Sequence, residues 1–456
     1  MLAQSRLWAL AALLASLAMP GARVLAGPVL TRGPYLQSAG SDTITIRWRT
    51  DQAVIGRVRF GAAPAALDQI ADEADAGTEH EVSLTGLTAA TRYAYSVGTT
   101  AEVLAGGDAE HVFSTSPIAG SSAPTRIWVI GDSGTADPNA AAVRDTFLAF
   151  AGDERADLWL MLGDNAYTHG TDQEYQAAVF EMYPTLLRNT SLWPTLGNHD
   201  GLSADSATGT GVYYDVFSLP RTGEAGGVAS HTEAYYSFDY ANLHLVCLDS
   251  YDSDLDPGGA MLTWLEDDLA ATAAQWIVAF WHHPPYSKGS HDSDVEQRLV
   301  AMRTVVVPVL EAHGVDLVLA GHSHAYERSV LLDGHYGASG SLAPTMALDG
   351  GDGRIDGDGA YRKPGAGPAP RAGAVYVVAG SSGRLGGGSL DHPAMATSVA
   401  ALGSVVIDVE GARLDLTFLD AAGEIGDRVT MIKGDLLHQD GFEGGGLDRW
   451  TRTTPP

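Results

Sequence analysis

Five short polar blocks carry the residue types that could do chemistry. They are Gly131-Asp132-Ser133-Gly134, Gly163-Asp164-Asn165-Ala166-Tyr167, Gly197-Asn198-His199-Asp200, Trp281-His282-His283-Pro284-Pro285-Tyr286 and Gly321-His322-Ser323-His324-Ala325-Tyr326-Glu327-Arg328. Each is led by an Asp, Asn or His with small residues or Pro beside it. A glycine ahead of a ligand lets the backbone turn sharply and lets a metal approach. His322 and His324 are two apart, so an extended turn could present both to one side. Hard carboxylate oxygens together with imidazoles suit Fe, Mn or Zn. The absence of cysteine from the blocks argues against a structural zinc site. Any one block alone reads as an ordinary turn, but all five in this order point to a metal site. Two metals sharing one carboxylate, about 3.5–4 Å apart, would make a hydrolase centre.

The elements that must position these blocks are legible as apolar runs. Strand-like runs at 126–130, 158–162, 192–196, 276–281 and 315–320 each end just before a block, and others lie at 244–248 and 374–379. Helix-like stretches at 138–151, 173–182, 260–273 and 295–313 alternate with them, the first opened by Asp137 as N-cap and Pro138 at the first helical position. Residues 405–409 and 414–418 read as a late hairpin. This alternation predicts an α/β (α+β) domain over 124–434, with mixed sheets flanked by helices. Ligands of open α/β sheets bind beyond the carboxyl ends of strands, so blocks far apart in sequence can converge there. Residues 27–118 differ. Ile44, Ile46 and Trp48, then Val58 and Phe60, then Tyr93, Tyr95 and Val97 alternate with polar or small residues, which predicts an all-β sandwich. A Pro/Ser/Gly linker, 117–124, separates the two periodicities.

Among 456 residues, Lys and Arg number 27 and Asp and Glu 56, giving a formal charge of −29. Such a chain lacks the basic patches that nucleic acid or an anionic membrane requires, so nucleic acid is excluded as a bulk partner. The sole cysteine, Cys247, excludes an internal disulfide and sits in the apolar run 243–248, as a buried strand residue would. Residues 1–26 read as a signal peptide. Arg6 precedes an apolar stretch too short to span a bilayer, and Val24-Leu25-Ala26 offers a cleavage site. The expected location is secreted or periplasmic in a bacterium, with no transmembrane segment in the mature chain. Residues 435–456 read as a flexible tail. The Asp-rich stretch 349–359 fails the calcium-loop test, because Ala360, Lys363 and Gly367 stand where a Glu would close an EF-hand. It reads as a solvated loop. The charge also sets a problem: an anionic substrate would have to be attracted by something other than Lys and Arg.

The five blocks resemble the calcineurin-like metallophosphoesterase superfamily, and more narrowly the purple acid phosphatases, over about residues 125–419. The run 84–95 is similar to the end of a fibronectin type III domain, and plant-type members carry a similar N-terminal β domain. Tyr167, three residues after Asp164, is the discriminating residue, because purple acid phosphatases place a tyrosine ligand to Fe(III) there. The resemblance implies a metallophosphoesterase sandwich and a binuclear centre of Fe(III) plus a divalent metal (Fe, Zn or Mn). It assigns Asp132, Asp164, Tyr167 and His324 to the first metal, and Asp164, Asn198, His282 and His322 to the second, with Asp164 bridging. His282 rather than His283 matches the ligand two residues before the proline. His199 matches a histidine that contacts substrate phosphate and aids the leaving group, and Asp200 is expected to hydrogen-bond it. His291, nine residues past His282, resembles a second substrate-contacting histidine, with a spacing that departs from the plant-type pattern. The implied activity is hydrolysis of small phosphomonoesters by a metal-bound hydroxide. Alternatives are a phosphodiesterase or nucleotide hydrolase with the same centre, or a non-catalytic surface-binding module. Oligomeric state is left open.

Overall fold

Alternate residues along four parallel strands go to two different cores, and this sets the layers. The strands are Leu243–Cys247, Trp276–Trp281, Leu317–Ala320 and Val375–Ala379. Leu245, Phe280, Leu319 and Val377 join a core shared with a second sheet, whereas Val246, Ile277, Val318 and Tyr376 pack on Leu262, Leu265 and Leu310 of the helices Ala260–Ala271 and Val307–His313. Antiparallel strands Tyr236–Tyr240 at one end, and Tyr326–Ser329 and Met395–Val399 at the other, complete this seven-stranded sheet. The second sheet is built on the parallel strands Thr125–Ile130, Leu158–Met161 and Ser191–Pro194, with the hairpin Gly403–Glu410 and Arg413–Asp420 antiparallel to the first of them. Its outer face is covered by the helix Pro138–Ala151, where Trp128 stacks on Phe147 at 4.5 Å. Trp193 stacks on Phe238 at 3.7 Å between the two sheets. The order of layers is helix, sheet, sheet, helix, the mixed-sheet architecture expected from the alternating runs. Asp137 caps the first helix as its position suggested, accepting from the amides of Asn139 and Ala140.

The computed structural model describes residues 26–434. The signal-peptide reading (Ala26 apart) and the tail reading of 435–456 therefore fall outside the described residues. Among the described residues no helix is long and apolar enough to cross a membrane.

The N-terminal β region shares a sheet with the α/β domain, a continuity that its period-two pattern did not disclose. Leu36 pairs in parallel with Ser191, so Leu30–Gln37, Thr43–Val54 and Gly77–Thr85 extend the second sheet to ten strands. The strands Gln69–Asp72, Gly56–Gly61, Arg92–Thr99 and Val103–Gly106 close the sandwich over Trp48, Val58 and Tyr95. Asp172 seals the junction, accepting from Arg32 at 2.8 Å and from Arg49 at 2.6 and 2.7 Å. Without this pairing, Ser191–Pro194 would be an open sheet edge.

Two expected helices are interrupted. The stretch 173–182 is an α-turn, Asp172–Tyr175, running into a π-turn, Gln176–Phe180. The stretch 295–313 starts at Gln297 and widens at Met302–Val306, just ahead of Pro308, which has no N–H to continue the ladder. Cys247 is buried in its strand, and burial pushes its thiol up to about 12. In the Asp-rich loop the carboxylates serve the loop itself: Asp352 accepts from the amides of Arg354 and Asp358, and Asp356 pairs with Arg354.

Candidate metal centre

The carboxyl ends of the parallel strands in both sheets lie at one end of the molecule, and there the chain reverses sharply. Asp132, Asp164 and His322 adopt left-handed backbone conformations, with φ of 55°, 53° and 66°. For residues other than glycine this costs on the order of 1–3 kcal/mol each and persists only where the surroundings enforce it. Here they do. The Asp132 amide donates to Gly163 O at 3.1 Å, the His322 amide to Asp132 Oδ2 at 2.7 Å, and the His199 amide to Asp164 Oδ1 at 2.9 Å. The glycines ahead of the ligands permit this crowding. A Cβ on Gly197 would overlap the amide and carboxylate of Asp164, and one on Gly321 would lie 2.6 Å from Asp132 Oδ2.

Two groups of donor atoms result, with Asp164 beside the second. In the first, Tyr167 Oη is 3.0 Å from Asp132 Oδ1 and 3.5 Å from His324 Nε2, and His324 Nε2 is 3.4 Å from Asp132 Oδ1. In the second, His282 Nε2 is 3.1 Å from Asn198 Oδ1, 3.2 Å from His322 Nδ1 and 3.5 Å from Asp164 Oδ1. Ligand-forming oxygens and nitrogens of Asp132, Asp164 and His282 all lie within 4.8 Å of one another.

The hydrogen bonds on the far side of the rings show that this set fits a cation. His282 Nδ1 donates to the Leu162 carbonyl at 2.8 Å, and His322 Nε2 faces Glu296 Oε2 at 3.1 Å. With those nitrogens carrying the protons, His282 Nε2 and His322 Nδ1 aim lone pairs at each other and at Asn198 Oδ1. Acceptors so placed need a positive charge at their focus, a metal ion or a proton on one of the rings. A carbonyl or carboxylate on the outer nitrogen is also how metal-ligating histidines are held in general.

The electrostatics agree. Burial opposes the charged form of His282, yet Asp164 and Asp132 raise it above the ordinary histidine value. Burial pushes His322 down to about 4 against the pull of Glu296, with His282 and His291 adding to the drop, so the ring stays neutral as a ligand must. Asp132 is fully buried but is held below the ordinary carboxylate range by His324, His282 and His322. Burial, then Asp132 and Asp164, drive the Tyr167 phenol well above 10. A metal cation at that hydroxyl would invert this preference.

All nine residues singled out from the sequence come to this end of the molecule. His199 packs edge-on to Tyr167 with centroids 4.6 Å apart, fixes Nδ1 on Thr168 O at 2.7 Å, and turns Nε2 inward, 3.9 Å from Asp164 Oδ2. His291 lies 3.7 Å from His322, ring to ring, with Nδ1 on Glu296 Oε1 at 2.7 Å. His283 fixes Nδ1 on Ser250 Oγ at 2.9 Å while its ring stays 4.4 Å from that of His322, close enough to count among the possible metal-holding groups, and burial followed by its histidine neighbours holds it well below 6.5. Asp200 does not reach His199, contrary to expectation. It is buried beneath the loops, accepting from Tyr175 Oη, the Gly197 amide and both nitrogens of Asn165. Burial and Asp164 push its carboxyl up to about 6.

Glu296, which bridges His291 and His322, is not among the residues the sequence singles out. It stands at the start of the stretch 295–313 read as a helix, where nothing in the pattern marks it as part of the site.

Residues 125–326 match the sequence model of the family described as calcineurin-like phosphoesterase, and residues 32–115 match the purple acid phosphatase N-terminal domain. Purple acid phosphatase 15 of Arabidopsis thaliana is 30% identical over 285 residues, covering 56% of this chain and 50% of that protein. Purple acid phosphatase 22 of the same plant is 28% identical over 310 residues, 64% of this chain and 66% of that one. The chain thus spans between half and two thirds of the length of these relatives. Purple acid phosphatase PPD1 from yellow lupin seeds has a similar fold, with a TM-score of 0.65 at 17% identity over 90% of this chain and 75% of that one. PhoD gives a TM-score of 0.60 at 14% identity over 87% and 89%. The chain thus joins a segment matching the calcineurin-like phosphoesterase family to one matching the purple acid phosphatase N-terminal domain, and it is similar to purple acid phosphatases over 56% to 64% of its length.

Proposed function

We propose that this chain hydrolyses phosphomonoesters at a binuclear metal centre and works outside the cytoplasm. The observation that carries the reading is the facing of His282 Nε2, His322 Nδ1 and Asn198 Oδ1 beside Asp164. Asp132, Asp164, Tyr167 and His324 would hold an Fe(III), and Asp164, Asn198, His282 and His322 a divalent ion. When bound, such a pair polarises phosphoryl oxygens and acidifies a water at neutral or lower pH.

The chain's own residues do the rest. Leu162 O and Glu296 fix the ring planes of His282 and His322, so the donor set needs no rearrangement to engage. His199, anchored through Nδ1 and about a quarter exposed, offers Nε2 to the leaving oxygen as its charge develops. His291 sits on the opposite side of the histidine cluster, anchored by Glu296, and offers its second nitrogen to a phosphoryl oxygen.

Comparing a chromogenic monoester with the corresponding bis-ester tests the reaction class, and Asp164→Asn tests the centre. The expected result is preference for the monoester, with Asp164→Asn lowering kcat/KM by at least about 100-fold, more than losing a hydrogen-bond partner behind a ligand costs. Faster bis-ester turnover would make this a phosphodiesterase. Unchanged turnover in Asp164→Asn would remove the metal mechanism.

A further inference from the structure

Arg384 stands at the rim of the candidate centre, and the backbone there is tightly placed. It follows the strand Val375–Ala379 in the run Gly380-Ser381-Ser382-Gly383-Arg384. On one side the Ser382 amide donates to Gly131 O at 3.1 Å, and on the other the Gly386 amide donates to His324 O at 3.0 Å. Gly383 lies so close to Asp132 that a Cβ there would come within 2.6 Å of the Asp132 carbonyl oxygen. The base of Arg384 is therefore set by the same chain segments that set Asp132 and His324.

The side chain is exposed, and its guanidinium carbon lies 5.4 Å from the centroid of the Tyr167 ring. That contact orients the group weakly and leaves its charge unneutralised. Other cations nearby are committed. Lys288 pairs with Asp292 at 2.7 Å and Asp294 at 2.9 Å, and Arg298 donates to Ser250 O and lies over Tyr251. Among the described residues, Arg384 forms no ion pair with a carboxylate. Arg298 also lacks a carboxylate partner but holds a backbone carbonyl, whereas among the described residues the Arg384 guanidinium makes no hydrogen bond.

We infer that Arg384 is a specificity-determining residue that binds a second anionic group on the leaving portion of the substrate. The preferred class is then a phosphomonoester whose alcohol part itself carries a carboxylate or phosphate. The inference rests on the phosphomonoesterase reading above. The scissile phosphoryl group belongs at the hydroxyl end of Tyr167, where Asp132 and His324 gather. The guanidinium lies over the ring instead, and no hydrogen bond joins it to those residues. A leaving group passing the wall formed by Tyr167 and His199 would meet it, and its planar fork suits either anion. Leu385, next in the loop, is also exposed, so an aryl leaving group is a suitable probe.

The test uses metal-loaded full-length enzyme with a matched pair, phenyl phosphate and para-carboxyphenyl phosphate. Wild type should favour the carboxylated ester. In Arg384→Ala that preference, taken as the ratio of kcat/KM values, should fall about tenfold, as expected for one charge-assisted hydrogen bond. The loss should lie in KM rather than kcat, and Arg384→Lys should restore part of it. An unchanged ratio, or an equal fall on both esters, would overturn the inference. Failure of wild type to hydrolyse either ester would overturn the phosphatase reading itself, and this inference with it.

Discussion

His282 and His322 are each oriented by what lies behind the ring. Each ring has one nitrogen occupied by an outer partner, Leu162 O or Glu296, which turns the other nitrogen to the centre. His199 is anchored in the same way, with Nδ1 on the Thr168 carbonyl, but its Nε2 lies beside, not on, the donor cluster. That position sets its Nε2 apart from the candidate ligand atoms and toward the place where a leaving oxygen would develop charge. His199→Ala should therefore lower kcat by about 10²- to 10³-fold while leaving metal content unchanged, measured by steady-state kinetics and elemental analysis on the same sample. Loss of metal in that variant would make His199 a ligand instead. The candidate ligand residues were legible because Asp, Asn and His after glycine at strand ends are few and unusual. Glu296 and Arg384 were not, since a single Glu or Arg outside the blocks carries no pattern. Arg384 does follow an apolar run, 374–379, that ends as the other block-bearing runs do, so its place at the site had a cue that its type did not.

The elements are tied by buried charge as much as by apolar packing. His244, on the strand Leu243–Cys247, pairs at 2.8 Å with both Asp239 of the neighbouring strand and Asp268 of the helix Ala260–Ala271. Burial would depress its imidazolium, but the two carboxylates prevail and raise it to about 9. A histidine raised in the folded state contributes stability that is full below its unfolded value near 6.5, and that is lost as pH rises through about 9. The contribution is on the order of 3 kcal/mol. Urea unfolding should thus show wild type losing about that much stability between pH 6 and pH 10, with His244→Gln showing a much smaller change. Equal losses in both proteins would contradict this. Strand positions and both hairpin arms were legible from periodicity, because alternation reports which face is buried. It does not report the neighbour. The pairing of Leu36 with Ser191 joins segments far apart in sequence, so the continuity of the ten-stranded sheet could not be read. The widened turns were likewise hidden, since a π-turn keeps an apolar pattern close to that of a helix.

For the whole molecule, the charge of −29 and the proposed chemistry are reconciled at one place. Two cations totalling about +4 to +5 would sit in a pocket lined by histidines and two carboxylates. They would supply a local positive field that the rest of the surface lacks, which Arg384 extends along the rim. Phosphate would then be attracted to a point, while polyanions such as nucleic acid would be repelled by the bulk. The measurement that bears most directly on this account is the metal content and visible spectrum of full-length protein purified without added metal, set beside Tyr167→Phe. The account predicts about two metal ions per chain, one of them iron, and a visible absorption band that Tyr167→Phe abolishes. A fully active protein that is colourless, or one that holds less than one metal ion per chain, would contradict it.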